Sequence, residues 1–166
     1  MLRKAFFSFH FDADNWRAAQ VRNMHALEDN PPVSDNEWEQ IKRGGDNAIT
    51  KWIAGQMLGR SCAVVLVGAG TANRKWINHE IIKAWDDRKG VVGIRVHGLK
   101  DSKGYVSSAG ANPFDYIELG QSKALLSTIV ELKDPTSLWG STETYSTIKS
   151  NIADWVEQAI QIRAQH

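Results

Sequence analysis

Short apolar runs alternate along the chain with stretches whose apolar residues recur every three or four positions. This alternation predicts strands interleaved with helices. Ala5–Phe9 is a brief, aromatic-rich run and reads as a strand. Asp12 and Asp14 then offer helix caps, with Trp16, Val21, Met24 and Leu27 along the helix until Asn30-Pro31-Pro32 breaks it. Ser34 with Glu37 has the capping-box spacing, which predicts a short helix ending near Gly44-Gly45. Asp46 suits the cap of the next helix, whose face carries Ile49, Trp52, Ile53 and Met57 before a stop at Gly59.

Ser61–Val67 is apolar almost throughout, as expected of a central parallel strand covered on both faces. Gly68–Asn73 is a turn, and Lys75–Arg88 a helix with Ile77, Ile81 and Ala84 on one face. Val91–Val96 is another strand, followed by a long glycine-containing loop over 97–123. Ser127–Leu132 reads as an edge strand, and Thr144–Arg163 as a final helix. The sum is one α/β domain over 1–166, a doubly wound, flavodoxin-like parallel sheet flanked by helices. Ligands of such sheets bind beyond the carboxyl ends of the strands. Ser8–His10, the turn Gly68–Asn73 and the loop after Val96 are expected to converge there.

Composition narrows the functional classes. Of 166 residues, 42 % are apolar and 23 % charged, and 20 basic side chains face 19 acidic ones for a net charge of +1. That balance fits a globular protein and gives no reason to expect nucleic-acid binding. The single cysteine, Cys62, lies inside an apolar run and reads as a small buried hydrophobe. No apolar stretch approaches the ~20 residues of a membrane span, and the start of the chain lacks signal-peptide character. The expectation is a cytoplasmic protein without membrane attachment. Seven tryptophans are many for this length and are expected mostly in the core, with one or two facing a planar ligand.

Common site motifs are missing. Gly68-Ala69-Gly70 follows a strand but lacks the third glycine of a dinucleotide fingerprint, and no P-loop or Gly-x-Ser-x-Gly elbow occurs. No two of the five histidines have metal-ligand spacing, so no metal is expected. A phosphorylatable receiver domain would need an aspartate ending the central strand; the chain has Leu66-Val67-Gly68 there.

The most informative stretch runs from Cys62 to Trp85: a strand, Gly68-Ala69-Gly70-Thr71, Asn73-Arg74-Lys75-Trp76, then Ile77-Asn78-His79-Glu80-Ile81. It resembles the core of TIR domains, in which a strand and a hydroxyl-bearing turn lead to a tryptophan and, four residues later, a helix glutamate. Phe6-Phe7-Ser8-Phe9-His10 is similar to the first strand of that family and its hydroxyl-bearing end. With Asn112-Pro113-Phe114-Asp115-Tyr116, these segments narrow the resemblance to the bacterial TIR-like family of Thoeris antiphage defence (the ThsB family), over about residues 3 to 120.

The resemblance implies an enzyme that cleaves NAD and forms a cyclic ADP-ribose-type signal. It further implies a phage-derived trigger, a separate effector protein activated through the product, and some self-association. NAD would be the substrate, with no separate cofactor. The family's catalytic glutamate falls on Glu80. Phe7, Ser8, His10, Asp46, Thr71, Asn73, Trp76 and Asn112 are the candidate substrate contacts. Several have structural alternatives: Phe7 in the core, Asp46 as a helix cap, Trp76 in packing, Asn112 shaping its loop. Two other functions fit the same pattern. One is a non-catalytic TIR-like interaction or nucleotide-binding module. The other is a nucleoside deoxyribosyltransferase-like enzyme, which also sets a glutamate against an anomeric carbon.

Overall fold

The computed structural model describes residues 2–166. Four parallel strands form the sheet: β1 (Ala5–Ser8), β2 (Cys62–Val67), β3 (Gly90–Arg95) and, after a small β4–β5 hairpin (Glu118–Leu119 with Ala124–Leu125), β6 (Leu132–Lys133). Their order is β1-β2-β3-β6. On the free side of β1, Glu28 makes a single parallel bridge to Lys4. The chain therefore leaves β1 toward one side, reaches Glu28, and comes back to form β2 on the other side. That reversal makes the carboxyl end of β1 the topological switch point, where a ligand crevice is expected.

Strand residues alternate between two cores. Phe7, Val64, Leu66, Val92 and Ile94 pack under α1 (Phe11–Arg22) and α5 (Ser141–Gln165). Phe6, Ala63, Val65, Val67 and Val91 pack under α3 (Gly45–Met57) and α4 (Lys75–Asp86). Cys62 is fully buried in the first core, and burial pushes its thiol far above the usual range, so it behaves as a hydrophobe. The helix α2 (Asp35–Arg43) opens with the expected capping box, since Ser34 accepts from the Glu37 N–H while Glu37 accepts from the Ser34 N–H.

Several boundaries differ from the pattern reading for identifiable reasons. The first helix stops at Arg22 because His25 takes a left-handed conformation (φ 54°). Met24 and Leu27 are buried through the following turn, not along the helix. Asp12 and Asp14 fall inside the first turn, and His10 occupies the cap position. Similarly, Gly44 caps α3, with Asp46 in its first turn. The left-handed Arg88 (φ 62°) ends α4 two residues early. The expected strand at Ser127–Leu132 begins in a 3-10 turn over Leu126–Thr128 and continues without strand structure to Glu131, and the true edge strand is Leu132–Lys133. Of the tryptophans, Trp16 and Trp139 are exposed and do not serve the core.

Candidate functional site

The carboxyl edge of the sheet divides into a sealed part and an open part. Over β2 and β3 it is sealed. Gly68 lies so close to α1 that a β-carbon there would come within 2.2 Å of the Asp14 carboxylate. Asp14 is buried and paired with the buried Arg17 at 2.9 Å. Arg17 also donates to the carbonyls of Leu99 and Tyr105, which ties the loop after β3 to α1. Gly110 presses on the carbonyls of Gly68 and Ala69 and accepts from Arg95. The loop after Val96 thus closes this edge instead of joining the ligand crevice.

Beside it, over β1, the edge is open. A cleft of about 570 Å³ lies between the end of β1, the start of α4, the connector around Asn30–Val33, and α2 with α3. Its size falls within the range of small-molecule sites. Glu80 stands at its inner wall. One helical turn into α4, it lies on the edge of the Ile77/Ile81/Ala84 stripe and is drawn inward with it; the residue is only 9 % exposed. The Ser8 hydroxyl, on the α4-facing side of β1, donates to Glu80 Oε1 at 3.1 Å. Burial raises the Glu80 carboxyl from the ordinary 4.5 to about 8, with the Ser8 bond acting weakly in the opposite sense. A buried carboxyl with one hydrogen bond and a raised pKa, aimed at a cleft, is the pattern of a functional group, not of a solvated helix glutamate.

The other sequence-derived candidates fall into two groups. His10, Asn73 and Trp76 line the cleft with Glu80. His10 is half-buried, its Nδ1 has no partner among the described residues, and burial followed by the Arg74 charge lowers its pKa. Asn73 adopts φ 60°, a conformation asparagine tolerates, and so turns the chain into α4. Trp76 packs edge-on against His79. Phe7 touches the cleft wall but belongs mainly to the α1/α5 core, and its backbone N–H donates to the Asn30 side chain.

Thr71, Asp46 and Asn112 are not among the lining residues, and each has a structural role. Thr71 is fully buried and its hydroxyl accepts from the Gly68 N–H at 2.8 Å, which shapes the turn. Asp46 is exposed and pairs with Lys75. Asn112 accepts from the Phe114 N–H and caps a 3-10 turn, so that Phe114 is buried against Gly93.

The α2/α3 side of the cleft was not anticipated from sequence. It carries Trp38, Lys42 and Trp52, with Pro31 and Val33 in the connector. Arg22, Arg74 and Lys75 also line the cleft, with Asp12 and Glu80 as acids. Arg22, Lys42 and Lys75 are ion-paired with Asp29, Glu39 and Asp46, and Arg74 has no ion pair among the described residues. The available signal was the pairing of Trp38 and Ile41 three positions apart on an otherwise polar helix, which marks α2 as docked by one edge.

The matching of this chain to known proteins agrees with that geometry. Residues 6–101, from β1 into the first part of the loop after β3, match the family described as Thoeris protein ThsB, TIR-like domain. The chain belongs to the Thoeris ThsB TIR-like family. The matched span contains Ser8, the cleft-lining residues and Glu80, and leaves out Asn112 and α5. A Bacillus cereus (strain MSX-D12) protein named "Putative cyclic ADP-D-ribose synthase ThsB1" is 34 % identical over 122 residues, covering 70 % of this chain. The chain spans 64 % of that relative's length.

Among the described residues of this ThsB-family chain, no group of three or more His, Cys, Asp or Glu side chains is placed to hold a metal ion. No described helix is long and apolar enough to cross a membrane.

Proposed function

We propose that this ThsB-family domain cleaves the bond between nicotinamide and ribose in NAD and closes the ADP-ribose into a cyclic signal. Cleavage sends the bonding electron pair to the departing nicotinamide, which leaves as a neutral pyridine, so no general acid is needed. The positive charge moves to the ribose, whose anomeric carbon becomes oxocarbenium-like. A single carboxylate beside that carbon stabilises the developing charge, most strongly where water is excluded. Glu80 is the catalytic residue in this reading, and the Ser8 hydroxyl positions it. Arg74 and Lys75, at the start of α4, suit the diphosphate. A nucleophile within the same molecule, a ribose hydroxyl or an adenine nitrogen, then captures the anomeric carbon; where it is a hydroxyl, its proton passes to the Glu80 carboxylate and from there to water.

The observation that carries the reading is the buried Glu80 carboxyl at a cleft that Arg74 also lines, in a chain that belongs to the ThsB family. The cyclase name of the relative supports the cyclising step. On the same footing we propose a role in antiphage defence, with activity restrained until a phage-derived trigger releases it and a separate effector answering the product.

Product analysis tests this. Wild type and Glu80→Gln are expressed in phage-infected cells, and their NAD metabolites are compared by mass spectrometry. The expected result is free nicotinamide with a cyclic ADP-ribose isomer from wild type alone. Linear ADP-ribose alone would replace cyclisation with hydrolysis. Base exchange on deoxynucleosides would instead identify a deoxyribosyltransferase. No turnover, with protection retained in Glu80→Gln, would identify an interaction module.

A further inference from the structure

We infer that Trp38 and Trp52 form a stacking subsite for the adenine ring of the dinucleotide, on the α2/α3 side of the cleft that Glu80 lines from α4. The inference rests on the NAD reading and assigns the half of the substrate that Glu80 does not touch. Trp38 belongs to α2 and Trp52 to α3, whereas Glu80 reaches the cleft from α4 and is held by Ser8 of β1. The same cleft joins both walls.

The two indoles lie 5.7 Å apart, centroid to centroid, and are tilted by 54°. That tilt keeps them from closing flat on one another and leaves a wedge of aromatic surface beside Pro31 and Val33. Both tryptophans are half-buried, packed at their edges on the α3/α4 core. The Lys42 ammonium lies 5.8 Å from the Trp38 ring, which keeps a positive charge next to the stack.

The chemistry of the pieces orders the ligand. The carboxyl at Glu80 must meet the nicotinamide-bearing ribose, since that is where charge develops. The cations Arg74 and Lys75 suit the diphosphate. Lys75 is also paired with Asp46 in the first turn of α3, the helix that carries Trp52, so this ion pair joins the start of α4 to the tryptophan side of the cleft. What remains for the tryptophan wedge is the second planar, apolar ring, and a purine has the broader face for stacking. Base stacking on an aromatic side chain changes affinity by roughly tenfold or more.

The test compares binding of ADP-ribose, which carries the adenine half, with binding of nicotinamide mononucleotide, which lacks it. Titration calorimetry is done on the full chain in the Glu80→Gln background, so that neither ligand is consumed. Adding Trp38→Ala is expected to weaken ADP-ribose roughly tenfold and to leave nicotinamide mononucleotide within about twofold. Trp38→Phe keeps an aromatic face and is expected to retain most of the ADP-ribose affinity, which separates lost stacking from a collapsed wall. Equal weakening of both ligands by Trp38→Ala, or no weakening of either, overturns the subsite while leaving the NAD reading intact. Failure of both ligands to bind the Glu80→Gln protein would overturn the NAD reading, and the subsite with it.

Discussion

Replacing Glu80 by glutamine is expected to make the fold more stable, by an amount that grows with pH. Glu80 is 9 % exposed and its carboxyl receives one hydrogen bond, from Ser8. Burial lifts its pKa from 4.5 to about 8. Because the folded value lies above the unfolded one, the unfolded chain releases this proton first. The contribution of the neutral carboxyl to stability is therefore complete below 4.5, falls as pH rises, and is fully lost above about 8. Each pH unit inside that window removes up to about 1.4 kcal/mol. Between pH 5 and 7 the wild type should lose about 2–3 kcal/mol from this group. Glutamine has nearly the same shape, accepts the Ser8 hydroxyl, and does not titrate. The stability gap between Glu80→Gln and wild type should thus widen by that amount, since all other groups titrate in both proteins. Urea unfolding at several pH values measures it, with equal m-values confirming that the compactness of the states is unchanged. Two parallel stability curves from pH 5 to 8 would refute the reasoning, for they would mean that Glu80 is ionised and solvated in the fold.

Other expectations concern the site and its supports. If Glu80 must be ionised to act, kcat/KM should rise as pH increases through about 8. The kcat profile should have a lower midpoint, because the bound nicotinamide cation favours the carboxylate; profiles measured from pH 6 to 9 check both. Gly68→Ala would force a methyl to within 2.2 Å of the Asp14 carboxylate, and is expected to lower stability by about 1–3 kcal/mol, read by thermal unfolding. Arg17→Met strands the buried Asp14 charge, with an expected loss of about 3–5 kcal/mol. It should also speed amide exchange in the loop 99–105, whose two end carbonyls, of Leu99 and Tyr105, Arg17 holds.

The parts of this fold that were legible in the sequence are those where a local pattern and a tertiary need coincide. The run Cys62–Val67 had to be a buried central strand, and Ser34 with Glu37 had to start a helix, because neither depends on distant partners. Glu80 was identified by resemblance, and its burial was not legible. Glutamate on the edge of an apolar stripe reads as solvated until Ser8, 72 positions away, is seen beside it. Thr71 and Asn112 looked like ligand contacts because hydroxyl and amide groups at turns serve either purpose; here the backbone N–H groups of Gly68 and Phe114 take them. The Trp38–Trp52 wall was hidden because it arises from two separate helices brought together only by packing. The edge strand was misplaced for a similar reason. Leu132 and Lys133 pair with β3 by tertiary contact, while the more apolar segment before them turns.

The most direct measurement of the central claim is the rate of nicotinamide release from NAD by wild type and by Glu80→Gln, both in lysate from phage-infected cells and at matched protein levels. Loss of a preorganised charge at the reacting centre should lower that rate by about 10²–10³-fold, with the variant still folded. Release by Glu80→Gln at a rate near that of wild type would contradict it.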